Sequence, residues 1–191
     1  MPAIGEEERL IETGPNFQQE RRRLTLGYLA DREICPDSGN CTPVKQLFRY
    51  WQAKRTPNRL PSTSRFEPQS VFDGADFEWV SWIDVTPEDP FNFILHHHPG
   101  SGEPVTFLGD WSGHTLKDYP HNFHATRCAF EYQYCKSTRQ PVYHEISQTI
   151  EGYYRCYTRV LLPLEDLDGV VTTLFYATRY VTPPERFSDH A

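Results

Sequence analysis

Apolar residues change their spacing several times along this chain, and each change marks an element. From Glu6 to Ile34 the sequence is charged and reads as helix, with Phe17, Leu24, Leu26, Tyr28 and Leu29 forming a thin apolar stripe that needs a partner surface. Cys35-Pro36-Asp37-Ser38-Gly39-Asn40 reads as a turn. A second helix starts at Thr42 as N-cap, with Pro43 in the first helical position, and Val44, Leu47, Phe48 and Trp51 repeat at helical spacing. It should lay that face on a core and stop before Pro57.

After a loop and a short helical stretch begun by Glu67-Pro68, the period falls to two. Phe77, Trp79, Ser81, Ile83 and Val85 share one face of a predicted strand, and Phe91, Phe93 and Leu95 alternate in a second, so the pair should form a hairpin. Asn122 to Thr138 reads as a long helix, preceded by short helical turns around Gly113 to Pro120. Three strands follow, Val142 to Ile150, Tyr153 to Leu164 and Val170 to Tyr180, joined by Glu151-Gly152 and by Glu165 to Gly169. The order predicts an α+β domain: a five-stranded antiparallel sheet with helices cupping one face, plus N-terminal helices. The division is a helical extension over 1–41, the domain over 42–182 and a tail over 183–191.

Composition narrows the function. A net charge of −7 argues against a nucleic-acid surface, because phosphate binding needs clustered Lys and Arg. The one dense basic run, Arg21-Arg22-Arg23, shares its segment with Glu6, Glu7, Glu8 and Glu20 and reads as a solvated helix face. No stretch is apolar enough for a membrane span, and the N-terminus is acidic where a secretory signal would be basic and then apolar, so a cytoplasmic location without membrane insertion is expected. The five cysteines, an odd number without paired-motif spacing, fit reduced thiols there. No hydrolase elbow, Walker loop or dinucleotide fingerprint is present.

Four short segments then carry a resemblance: Leu47-Phe48-Arg49-Tyr50-Trp51, Arg59-Leu60-Pro61-Ser62, the run from Phe107 to Leu116, and Arg159-Val160-Leu161-Leu162-Pro163-Leu164. In this order, beside the strand pattern, they resemble the PAS superfamily, and more narrowly bacterial proteins that are little more than one PAS domain behind an N-terminal helix. The likeness runs from about Thr42 to Tyr180. It implies helices cupping a small-molecule pocket and a signalling role through a ligand or a partner protein, without catalytic residues. Where a Gly-Thr or Arg ending is expected of the second strand, this chain has His96-His97-His98-Pro99-Gly100.

Histidine offers the candidate chemistry, since imidazole binds metals, ligates haem iron and titrates near neutrality. Strand alternation puts His97 with Phe91, Phe93 and Leu95, and His144 with Val142 and Ile146, so both face the cup. They read either as ligand contacts or as hydrogen-bonded core histidines, the latter favoured. His121 and His124 share a helix face. The resemblance makes His124 the residue to test for haem, the one cofactor named here, against a plain capping or solvated role. Arg127 and Thr158 complete the expected pocket. No metal site is expected, and Cys35 with Cys41 matches no zinc spacing. Arg155, Tyr157 and Arg159 fall on the strand face opposite Thr158 and Val160. They are read as an outer interface covered by the extension through Leu24 and Tyr28, within the chain or across a homodimer. Beside the sensory reading stand two others: a haem-based sensor, and a cone-fold enzyme like ketosteroid isomerase using Asp84 and Tyr119.

Overall fold

The computed structural model describes residues 4–11, 18–26, 42–72, 80–97, 111–119, 122–150 and 153–186. Two helices, α1 (Thr42–Lys54) and α2 (Asn122–Thr138), accompany seven strands: β1 (Ile4–Ile11), β2 (Gln18–Leu26), β3 (Val80–Asp84), β4 (Ile94–His97), β5 (Val142–Ile150), β6 (Tyr153–Glu165) and β7 (Val171–Arg186). All join one sheet in the order β1-β2-β5-β6-β7-β3-β4, and every pairing is antiparallel. The α+β core is thus five strands, β5-β6-β7-β3-β4. The early hairpin forms as the alternation requires, with Ser81 opposite His97 and Ile83 opposite Leu95. β3 then docks on the last strand, Ser81 opposite Tyr176.

Residues 4–11 and 18–26 are strands where the sequence reads as helix. The reason lies in the charges. In register, Glu6, Glu7 and Glu8 stand opposite Arg23, Arg22 and Arg21, and Arg9 stands opposite Glu20. Opposite charges directly across a ladder support pairing, as they would one turn apart on a helix. The hairpin adds to the edge of β5, with Leu24 opposite His144. It extends the sheet sideways and does not cover its face. Tyr28, Cys35 and Cys41 lie outside the described residues. At the other end, β7 runs on to Arg186, past the expected boundary at 182.

Both helices pack on β6 and β7, from opposite sides. Register assigns the faces, since cross-strand partners point the same way. On one face lie His144, Arg159, Leu161, Thr178, Tyr176, Ser81 and Leu95, and α2 packs on this face over β6 and β7. The other carries Val160, Leu162, Phe175, Trp82 and His96. Phe66 packs on Phe175 and Tyr50 of α1 packs on Phe66, with ring centroids 5.1 and 4.9 Å apart. Trp82 stacks between Phe175 and His96. The indole N–H of Trp51 donates to the Pro163 carbonyl at 2.8 Å, fixing α1 against β6.

One carboxylate ties the ends of three elements. Glu165, at the end of β6, accepts from Arg59 in the loop after α1 and from Arg139 just past α2. Arg139 adopts a left-handed conformation (φ 58°), uncommon without a glycine, and also donates to the Gly169 carbonyl at 2.6 Å. Burial alone would raise the pKa of Glu165. Hydrogen bonds from Arg139, Arg59 and the Leu60 amide outweigh it and hold the carboxyl below its ordinary value. Among the described residues no helix is long and apolar enough to cross a membrane.

Candidate functional site

The layer between α2 and the sheet is unusually polar for a core. Glu131 on α2 is 2% exposed, His144 on β5 is fully buried and Arg159 on β6 is 5% exposed. The cross-strand register sets His144 and Arg159 side by side. From α2, Glu131 drops its carboxylate onto both. Arg159 Nη2 donates to Glu131 Oε2 at 2.6 Å, and His144 Nε2 lies 3.2 Å from the same oxygen. Arg159 Nη1 reaches the Tyr132 hydroxyl at 3.4 Å, and the guanidinium lies over the Tyr132 ring at 5.7 Å.

Arg159 stays charged because its neighbours hold it so. Burial opposes the charge of Arg159, but Tyr132, Cys128, Tyr157 and Tyr176 around it hold its pKa above the ordinary value. Burial likewise pushes the Tyr132 phenol well above its usual pKa, so it remains a neutral donor. Ser81 and Thr178 add buried hydroxyls on the same sheet face. What results is a fixed cation, a carboxylate and neutral donors within one layer, an arrangement suited to orienting a small polar molecule.

His124 belongs to this layer by position. It is buried at the start of α2, its Nε2 is 3.4 Å from Cys128 Sγ one turn on, and its ring packs on Tyr119 at 5.3 Å. A haem iron would need that nitrogen, which the thiol already engages. Arg127, half-buried, lies one turn before Glu131.

Three expected placements change. Thr158 points to the face opposite His144, because its register partner is Glu145. Arg159 and Tyr157, read as outer interface, belong to the α2 face and are buried. Alternation had separated the two faces of β6 correctly; the assignment of inside and outside was inverted, since both faces are covered. His97 holds its place in β4 opposite Ser81, and Arg155 its place in β6 opposite Gln148, while the side chains of both lie outside the described residues. The cone-enzyme pair does not assemble either. Asp84 lies on the α1 face and accepts from Thr86 N–H and Oγ1 in its own turn at 2.9 and 2.6 Å, whereas Tyr119 packs on α2.

Sequence reasoning missed Glu131 and Tyr132. A lone acid inside Ala129-Phe130-Glu131-Tyr132, in a helix of aromatic and small residues, was the available signal. Buried acids pair with buried bases, and Arg159 in an apolar strand was its natural partner. Among the described residues no cluster of His, Cys, Asp and Glu is arranged to hold a metal ion. Compared with protein-family models, curated proteins and solved structures, the chain matches none.

Proposed function

We propose that this chain is a stand-alone PAS-type sensory and protein-interaction module of bacterial signalling, without catalytic function, that reads a small polar ligand between α2 and the sheet. One observation carries the reading: the early β3–β4 hairpin precedes the helical middle and pairs with the last strand. This arrangement is what separates a PAS sheet from the cone of ketosteroid isomerase. The polar layer supports the sensing half. A ligand bearing a carboxylate or carbonyl would compete with Glu131 for Arg159 and loosen the tie between α2 and β6. The helix would shift against the sheet, and a partner protein or a second copy would read the shift.

Native mass spectrometry on freshly purified chain, with an absorption spectrum, tests this. Expected is an added mass below that of a haem, without a Soret band, that is lost in Arg159→Met while the variant remains folded. A Soret band would replace the reading by the haem sensor. A bare chain mass, together with no change in melting temperature across a library of small polar acids and carbonyl compounds, would sink the ligand-sensing claim.

A further inference from the structure

A second site lies away from the polar layer, at the end of α1. Here a cleft of roughly 400 Å³ opens between Lys54, the loop Arg59-Leu60-Pro61-Ser62, Arg65 and Glu165. The loop is fastened to β6. Glu165 N–H donates to the Pro61 carbonyl at 3.1 Å, and Thr63 Oγ1 donates to the Glu165 carbonyl at 3.3 Å.

We propose that this cleft binds a phosphate-type oxyanion. Charge is the argument. Three cations, Lys54, Arg59 and Arg65, line it against one carboxylate. That carboxylate is already matched by Arg139 from its other side, so Arg59 is surplus. Among the described residues neither Lys54 nor Arg65 is paired with a carboxylate; Lys54 Nζ rests over the Tyr50 ring at 5.3 Å. In a chain of net charge −7, this surplus does not reflect general basicity.

Geometry agrees. Arg59 is oriented by Nε on Glu165 and Nη2 on the Leu167 carbonyl at 3.3 Å, which leaves its Nη1 hydrogens for a ligand. A guanidinium held in this way gives directional bonds to phosphate oxygens, while an ammonium adds a point charge. Ser62 contributes a hydroxyl, now paired with Ser64 Oγ at 3.0 Å. A volume of this order falls within the range of small-molecule sites, and three positive charges favour a multiply charged ligand over a single carboxylate. The ordinary reading of exposed Lys and Arg is solvation, and the experiment must separate the two. The inference is independent of the PAS reading.

Isothermal titration of the full chain with inorganic pyrophosphate, at matched ionic strength, is the test, with ADP as a second titrant. Saturable binding is expected. Lys54→Glu and Arg65→Glu should each weaken it about tenfold, the effect of losing one charge-assisted contact, with melting temperatures unchanged because both side chains are exposed. Lys117→Glu, an exposed cation outside the cleft, should leave it intact. Tighter pyrophosphate marks a free phosphate ligand and tighter ADP a nucleotide. No saturable heat with either titrant, or equal losses in the Lys117 variant and the cleft variants, would overturn the proposal.

Discussion

Glu131 and Arg159 are worth more as a pair than apart. Removing one partner of a buried ion pair strands the other charge and costs about 3–5 kcal/mol, whereas replacing both by apolar groups of similar volume is often near neutral. Glu131→Leu should therefore lower stability by about 3–5 kcal/mol in urea denaturation, and Glu131→Leu with Arg159→Met should recover most of it. Equal losses in the single and double variants would show that packing, not charge, dominates there. Glu165 makes a different prediction, set by pH. Its carboxyl is held below the ordinary value, so its contribution is full above the unfolded-state pKa of about 4.3 and fades as pH falls through the lower folded value. Glu165→Gln should flatten the acid limb of a stability–pH curve and leave its slope above pH ~6 unchanged. Gly169 tests backbone alone. It sits at φ +83° with nothing near an added Cβ, so Gly169→Ala should cost about 1–2 kcal/mol without any clash. At this scale the sequence was half legible. Alternation placed His144 toward the buried layer. It did not reveal which face of β6, a strand buried on both sides, meets α2, and so it put Thr158 in the pocket and Arg159 outside.

Elements were read best where a breaker or a cap fixed their ends. Thr42-Pro43 begins α1 and Asn122 to Thr138 is helical throughout, as expected. Three C-terminal strands form where alternation put them, with β6 reaching Glu165 and β7 running on past the expected end at Tyr180 to Arg186. The N-terminal extension failed because its charges suit two geometries. Its run Glu6-Glu7-Glu8-Arg9 is mirrored by Glu20-Arg21-Arg22-Arg23, and this mirror symmetry, not the charge itself, was the hairpin signal. Deleting residues 1–26 should therefore expose the ladder edge of β5, which is competent to pair with another chain. Light scattering after size exclusion should show more association in the truncated chain. A truncated chain that assembles like the full one would place the extension outside the sheet's economy altogether.

On the scale of the whole molecule, the central strands are enclosed from both sides, by α1 on one and α2 on the other. Tyr157 through Leu162 on β6 are all buried, as is Leu164. Enclosure of this kind removes the usual guard on alignment. In a sheet wetted on one side, a slip by one residue would drive apolar groups into water; here both destinations are shielded from water. What breaks the tie is ionic. Were β6 to slide by one position, Arg159 would turn to the other face, and Glu131 would be left buried against Thr158 or Val160 in its place, without its cation. The buried guanidinium thus acts as a key cut for one lock, and the proposed ligand, were it to draw Arg159 away, would also unlatch the central ladder.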